Sequence, residues 1–279
     1  GYLYVANEGA GGGGGSEIVQ LDLSKGSGET GFSDIIGTGF NGPSGLAENS
    51  SANKLYISDD YNNIYSQTTG DDFNVVASGF SNPNALHFSG VDNSLYIAEA
   101  GNGQITKLES LSSSSPSSTS VQSALSTPQA VAVDASGVKL YSSDFGSNVY
   151  GINLTTSYDL SNFPASIFTS GYTQGGLTLD SAGTYLYASD YQTGEIFKID
   201  TSSGSSSVLV DYANSSSDSS FQARGLALSP DESKLFISGY GSNNIIEYDF
   251  ASGNSYLFAS NSDDLDGPFG LVFSANDYP

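Results

Sequence analysis

Side chains able to perform catalysis are scarce in this sequence, and their types limit its chemistry. His87 is the only histidine, Arg224 is the only arginine, and cysteine is absent. Thiolate nucleophiles, disulfides and the paired-histidine sites of zinc are therefore excluded. His87 is the one histidine that can act as the base of a Ser-His-Asp arrangement, but no Gly-x-Ser-x-Gly segment supplies the nucleophile. We expect His87 to be a packed, hydrogen-bonded core residue, with catalysis as the alternative.

A recurring sequence phrase ends on a carboxylate in four of its copies, at Asp59, Glu99, Asp144 and Asp190. Carboxylate oxygens are ligands for Ca²⁺ or Mg²⁺ rather than for zinc or copper. These four residues are therefore the candidate metal ligands, and Glu99 is also the candidate general base. The alternative, which we favour, is structural: each carboxylate accepts hydrogen bonds from backbone amides of the turn that follows it.

A second recurring segment carries the candidate ligand-binding residues, which are Ser44, Asn84, Gln129, Arg224 and Phe269. Gly175 occupies the same position in the remaining copy. The guanidinium of Arg224 can form paired hydrogen bonds with a carboxylate, a phosphate or sugar hydroxyls, and Phe269 can stack on a sugar or aromatic ring. The alternatives are that Arg224 neutralises the carboxylates around it and that Phe269 plugs a channel.

Strands must position these residues, because the first phrase recurs six times with strand periodicity. An apolar residue alternates with an aromatic one in every copy. The copies are Tyr2–Asn7, Lys54–Asp59, Ser94–Glu99, Lys139–Asp144, Tyr185–Asp190 and Lys234–Gly239. Their leucines are 40 to 52 residues apart, which is the period of a propeller blade. The sequence therefore predicts an all-β protein, a six-bladed β-propeller of four-stranded antiparallel blades.

The two ends of the chain supply complementary parts of one blade. Residues 1–38 contain three strands without an inner strand, and residues 267–274 contain an inner strand without the other three. We predict a single propeller domain over residues 1–279, whose ring closes by pairing the C-terminal strand with the N-terminal blade. Such closure removes exposed sheet edges. Inner strands begin where second strands end, so both sets of candidate residues should surround one mouth of the central channel.

The segment Pro43–Ala47, followed by Leu55–Asp59 and an Asn-rich turn, resembles the NHL, YVTN and gluconolactonase/strictosidine-synthase-like propellers. The resemblance covers nearly the whole chain and implies the propeller fold. This superfamily contains lactonases, phosphotriesterases and an alkaloid-forming enzyme as well as binding modules. Its metal-dependent hydrolases hold Ca²⁺ with a glutamate, asparagines and an aspartate. Here the equivalent inner positions offer only Asn84 and Gln129 as oxygen donors and add the cation Arg224, which weakens the calcium-lactonase interpretation.

The charge of the chain limits its partners. Its 30 acidic and 7 basic residues give a formal net charge of −23, which repels nucleic-acid phosphates and anionic lipids. No apolar run approaches the roughly 20 residues of a membrane span. The chain begins within a strand pattern and lacks methionine, which we interpret as the loss of a secretory signal. Asn49, Asn153 and Asn214 lie in glycosylation sequons.

These observations predict a secreted monomer that recognises a polar ligand, such as a carbohydrate, at the channel mouth. We expect no nucleic-acid partner, no membrane insertion and no required cofactor, with Ca²⁺ as the ion that the mouth would accept. One alternative is a lactonase or ester hydrolase of the gluconolactonase-like type. The other is a cell-surface or matrix scaffold that binds proteins. The glycine run from Gly11 to Gly15 is expected to form a ligand-free loop.

Overall fold

The computed structural model describes residues 1–9, 16–68, 72–145, 149–155, 175–212 and 221–274. Within these residues, 23 strands form six antiparallel sheets. Five sheets have four strands, and the remaining sheet has three strands among the described residues. The predicted all-β, six-bladed propeller is confirmed.

Each sheet is one blade, and strands are numbered in chain order. From the inner strand outwards, blade 1 consists of β23 (Pro268–Ser274), β1 (Tyr2–Asn7), β2 (Glu17–Asp22) and β3 (Ser33–Thr38). Blade 2 consists of β4 (Pro43–Asn49), β5 (Lys54–Asp59), β6 (Asn63–Thr68) and β7 (Asn74–Ser78). Blade 3 consists of β8 (Pro83–Ser89), β9 (Ser94–Glu99), β10 (Gln104–Glu109) and β11 (Ser117–Gln122).

Blades 4 to 6 follow the same pattern. Blade 4 consists of β12 (Pro128–Val133), β13 (Lys139–Asp144) and β14 (Val149–Asn153). Blade 5 consists of β15 (Leu177–Leu179), β16 (Tyr185–Ser189), β17 (Glu195–Asp200) and β18 (Ser206–Asp211). Blade 6 consists of β19 (Ala223–Leu228), β20 (Lys234–Gly239), β21 (Asn244–Asp249) and β22 (Asn254–Ala259). Two single-turn 3₁₀ helices cover Ser50–Ala52 and Asn261–Asp263.

The core lies between neighbouring blades rather than at one centre. Successive side chains of a strand point to opposite faces of its sheet. In β1, Leu3 and Val5 therefore pack against blade 6, whereas Tyr4 and Ala6 pack against blade 2. One cluster of buried apolar side chains fills each of the six gaps between blades. The recurring phrase thus contributes to two interfaces between blades at once.

The ring closes between the two ends of the chain, as predicted. Strand β23 pairs with β1 in antiparallel register, with Leu3 opposite Phe273 and Val5 opposite Leu271. A second contact reinforces this closure, because the buried Asp263 carboxylate accepts hydrogen bonds from Ser27 Oγ at 2.6 Å and Gly28 N at 3.1 Å. The last segment of the chain is therefore held by both the inner and the outer parts of blade 1.

Candidate functional site

Both predicted sets of residues lie at the end of the channel where the inner strands begin, which we call the upper mouth. In three blades a proline at the start of the inner strand is paired with the carboxylate that ends the second strand: Pro43 with Asp59, Pro83 with Glu99 and Pro128 with Asp144. A cavity of about 70 Å³ opens on the channel here. Of the inner positions, Ser44, Gln129, Gly175, Arg224 and Phe269 line it.

Buried serines of the second strands hold the inner strands in place. Ser238 Oγ accepts a hydrogen bond from Gly225 N at 2.7 Å and donates one to Phe269 O of the next blade at 2.7 Å. Ser189 Oγ donates in the same way to Arg224 O at 2.6 Å. Sequence reasoning missed this role, although a serine precedes the final residue in four of the six phrases.

Three predicted ligand-binding residues are hydrogen-bonded to one another or to nearby backbone. Ser44 Oγ donates to Asn84 O at 3.0 Å, and Asn84 Nδ2 donates to Gln129 Oε1 at 2.6 Å. Gln129 Nε2 donates to Thr127 O at 3.0 Å. All three side chains are buried. Their role in ligand binding stays a prediction, and a ligand would have to displace these hydrogen bonds to engage them.

Arg224 is enclosed by three aromatic rings. Its guanidinium carbon is 4.4 Å from the ring centroid of Tyr191, 4.9 Å from that of Tyr240 and 4.4 Å from that of Phe269. A desolvated cation–π contact stabilises by about 2 kcal/mol. Burial lowers the pKa of Arg224 and the charge of Glu8 opposes this effect, so the side chain remains a cation at neutral pH. Arg224 and Phe269 therefore belong to one cluster.

Glu8 is a further member of this cluster that sequence reasoning did not identify. Burial raises its pKa, the Arg224 charge lowers it, the Asp60 charge raises it, and a hydrogen bond with Tyr240 lowers it. Among the described residues, Glu8 Oε2 and Arg224 Nε are buried without a hydrogen-bond partner. The only sequence signal was its position, because Glu8 directly follows the first recurring phrase.

The four candidate metal ligands each engage their own blade. Glu99 accepts hydrogen bonds from Ser81 N at 2.8 Å and Gln104 Nε2 at 2.9 Å. Asp190 accepts from Gln192 N at 2.8 Å, Asp144 from Tyr150 OH at 2.7 Å, and Asp59 from Asn63 N at 3.3 Å. Backbone amides of the segment that follows donate to Asp59 and Asp190, as the structural alternative predicts. Glu99 instead accepts its backbone hydrogen bond from Ser81, before the inner strand, and Asp144 accepts from a tyrosine hydroxyl. In the part of the chain that the structure describes, no three His, Cys, Asp or Glu residues are grouped to hold a metal. The Ca²⁺ ion stays a prediction.

His87 differs from its predicted environment, because the described residues supply no hydrogen bond to its imidazole. The ring is half-buried and lines a second cavity of about 660 Å³ at the opposite end of the channel, the lower mouth, where the inner strands end. Desolvation lowers the pKa of His87 to about 4, and the Asp92 charge partly opposes this effect. The equivalent residues Ala47, Ala132 and Ala227 pack into the apolar clusters between blades, whereas the larger ring of His87 also lines the cavity.

The two candidate catalytic residues are not brought together. In the ladder between β8 and β9, His87 lies opposite Tyr96, whereas Glu99 lies opposite Pro83. Three strand residues, about 10 Å, separate these two levels. Glu99 thus belongs to the upper mouth and His87 to the lower mouth, so they do not form one acid–base pair.

The predicted glycosylation sites differ in their accessibility. Asn49 is only 4% exposed, and its side chain accepts a hydrogen bond from Ala52 N at 3.2 Å, which disfavours glycan attachment. Asn153 Oδ1 accepts from Thr155 N at 2.8 Å in an exposed turn. Asn214 and the run from Gly11 to Gly15 lie outside the described residues.

The circular order of six sheets and the sheet shared by the two chain ends define the class of this protein, a six-bladed β-propeller. A chain in a crystal structure of a nidogen/laminin complex is similar to it, with a TM-score of 0.77 and 14% identity over 97% of each chain. A structural-genomics protein of unknown function from Bacteroides thetaiotaomicron VPI-5482 is also similar, with a TM-score of 0.62 and 17% identity over 91% of this chain and 64% of that chain.

Comparisons of the sequence with family models and with curated proteins assign no function to the chain. No protein-family model matches the chain, and no curated protein matches it. By contrast, 1402 chains of solved structures match its fold, so the fold is too widespread to indicate one activity. The resemblance to NHL and YVTN propellers is confirmed at the level of the fold. Within the described residues, no helix has both the length and the apolarity needed to cross a bilayer.

Proposed function

We propose that the protein is a binding module that recognises an extended, hydroxyl-rich ligand of the carbohydrate class across its upper mouth. One observation carries the proposal: a buried donor, Arg224 Nε, and a buried acceptor, Glu8 Oε2, both lack a partner among the described residues, and they lie in the same aromatic cluster. A buried polar group left without a hydrogen bond costs about 1–3 kcal/mol. A ligand hydroxyl can both donate and accept, so it can satisfy either atom.

The shape of the upper mouth indicates how such a ligand would bind. Its cavity of about 70 Å³ is far below the roughly 300–1,000 Å³ of pockets that enclose a ligand. Most of the ligand would therefore lie across the face, and one of its hydroxyl groups would enter the cavity towards the buried atoms of Arg224 and Glu8. Tyr191 and Tyr240 are half-buried and Tyr61 is 65% exposed at this end, so the face offers aromatic rings on which sugar rings can stack. The proposal assumes a location outside the cell.

A glycan microarray is the direct test of this proposal. We expect the wild-type protein to bind a defined subset of oligosaccharides, with Arg224→Ala and Glu8→Gln each lowering affinity about tenfold. Arg224→Ala removes a charged donor, and Glu8→Gln removes the negative charge that strengthens the acceptor. Glu8→Gln keeps the size of the side chain, so its loss of binding is not a loss of folding. The control Ser118→Ala alters an exposed strand residue of blade 3 and should bind as the wild type does. Absence of glycan binding, or full binding by both mouth variants, would overturn the proposal.

A protein partner is the second candidate function, and the comparison supports it. The similar chain of the nidogen/laminin complex structure spans the same length as this protein. A propeller of this size is therefore found in a protein assembly. A protein array before and after enzymatic deglycosylation separates the two candidates: binding that survives sugar removal and is lost in Tyr61→Ala indicates a protein surface, whereas binding that disappears with the sugars indicates the glycan. The hydrolase alternative has less support, since His87 and Glu99 lie at opposite ends of the channel.

A further inference from the structure

The lower mouth contains a cavity that the proposed function does not use. Its volume of about 660 Å³ is nearly ten times that of the upper cavity and lies within the usual range for small-molecule sites. Apolar side chains at the ends of the inner strands form much of its wall, among them Phe88, Leu179, Leu228 and Phe273. It is therefore a concave site with apolar walls and polar groups around them.

His87 is one of these polar groups, and its side chain is larger than those at the equivalent positions of the other inner strands. The equivalent positions on the other five inner strands carry smaller side chains, which are Ala47, Ala132, Thr178, Ala227 and Val272. With a pKa of about 4, the imidazole is neutral at pH 7 and adds no positive charge to the cavity. Because the described residues provide no hydrogen bond to it, the ring presents one donor and one acceptor to whatever enters.

Asp180 and Glu232 form a negative subsite on adjacent blades. Asp180 Oδ1 accepts hydrogen bonds from Thr184 N at 2.6 Å and Tyr185 N at 3.0 Å, and Glu232 Oε1 accepts from Ser181 N at 2.6 Å. The second oxygen of each carboxylate has no hydrogen bond among the described residues. Desolvation is the main cause of the raised pKa of Tyr187, and the charges of Asp180 and Glu232 raise this pKa further. Both carboxylates therefore lie near the same phenol.

The charge around the cavity has one sign. Glu48 and Asp134 also line it, and among the described lining residues there is no lysine or arginine. In the ring of six blades, blade 3 lies across the channel from blade 6. His87 of blade 3 therefore faces the pair formed by Asp180 of blade 5 and Glu232 of blade 6, with apolar walls between them.

We propose that the lower cavity is a binding site for a small organic cation with an apolar body. Its ammonium group lies at the free carboxylate oxygens of Asp180 and Glu232, its hydrocarbon part lies along the channel wall, and its far end reaches His87. A neutral molecule of the same shape would gain the apolar contacts but not the charge-assisted hydrogen bonds. This site is independent of the upper mouth and of its ligand.

A matched pair of probes tests the site: phenylbutylamine and its uncharged analogue phenylbutanol, titrated by calorimetry and by NMR. We expect saturable binding of the amine that is about tenfold tighter than that of the alcohol. Binding of the amine should weaken as salt is added, because the attraction is partly electrostatic. His87 is the only histidine, so a shift of the imidazole signals on titration locates the probe in the lower cavity.

Three variants complete the test. The double variant Asp180→Asn with Glu232→Gln removes both charges but keeps a side-chain oxygen that can accept the backbone hydrogen bonds. It should lower amine affinity about tenfold while leaving alcohol binding unchanged. The control Asp231→Asn removes a neighbouring exposed carboxylate that does not line the cavity, and it should bind the amine as the wild type does. His87→Gln tests the far end of the site, where the uncharged phenyl ring of the probe lies, and we expect this variant to change amine affinity only slightly. No saturable binding, equal binding of both probes, or unchanged amine binding by the double variant would each overturn the proposal.

Discussion

Polar side chains along the channel fall into two groups, according to whether the protein itself satisfies them. Ser44, Asn84 and Gln129 are buried and hydrogen-bonded within the upper mouth. Arg224 Nε and Glu8 Oε2 are buried without partners among the described residues. Because an unpaired buried polar group is costly, the second group is the stronger indicator of a binding site.

His87 should make the stability of the protein depend on pH. Its pKa is about 4 in the folded state against 6.5 in the reference state, so between these values the unfolded chain binds a proton that the folded protein does not. The free energy of unfolding should therefore fall as the pH is lowered from 6.5 towards 4, by up to about 2 kcal/mol at pH 5, and this contribution is absent above pH 6.5.

Urea unfolding of the wild type and His87→Gln at pH 7 and pH 5 measures this effect. The variant should lose less stability than the wild type on acidification. The raised pKa of Glu8 acts in the opposite direction, but it does so in both proteins and cancels in the difference. Equal losses in the two proteins would show that the imidazole is protonated in the folded state as easily as in the unfolded chain.

At the scale of the strand, the recurring phrase carries two kinds of information. Its apolar and aromatic residues fill the gaps between blades, whereas its serine links one inner strand to the next. Inner strands also approach each other closely: a Cβ on Gly45 would lie 2.5 Å from Asn84 O, which no side chain tolerates without a shift. Gly45 and Ser58, which donates to and accepts from the inner strands, therefore act together to hold the inner strands of the upper mouth in place.

Ser238→Ala tests the contribution of such a serine to the contact between the inner strands of blades 6 and 1. It leaves Gly225 N and Phe269 O without their side-chain partner, and we expect a loss of about 1–3 kcal/mol in the free energy of unfolding, measured with urea. Ser118→Ala, in an exposed outer strand, is the matched control and should change stability by less than about 0.5 kcal/mol. A Ser238 variant as stable as this control would mean that the serine is not needed to join the blades.

For the whole molecule, the important feature is that the first and last segments share a sheet. Because β23 covers β1 and contributes Leu271 to the core between blades 6 and 1, removal of residues 267–279 should expose both a sheet edge and that core. We expect the shortened chain to lose cooperative thermal unfolding, as followed by circular dichroism.

A circular permutant provides the control for this deletion. Joining residue 279 to residue 1 and opening the chain at residue 261 makes the strands of blade 1 continuous, and the permutant should unfold cooperatively as the wild type does. Cooperative unfolding of the shortened chain at the wild-type temperature would show that the closing strand contributes little to stability.

Much of the fold could be predicted from the sequence, because its determinants are local and repeated. The alternation within Leu55–Asp59 specifies a strand, the recurrence of that phrase specifies the number of blades, and the unmatched segments at the two ends specify the closure. The alignment of the copies also placed Arg224 and Phe269 at one mouth, since equivalent positions in a ring lie at one level.

Only the tertiary structure decided which polar groups are satisfied and where space remains. Asn84 donates a hydrogen bond to Gln129, and Glu8 Oε2 has no partner among the described residues. Both facts depend on distances between blades that lie far apart in the chain. The volume around His87 likewise depends on the diameter of the closed ring, to which all six inner strands contribute. Strand formation follows from neighbouring residues, whereas a cavity or an unpaired atom results from packing the whole chain.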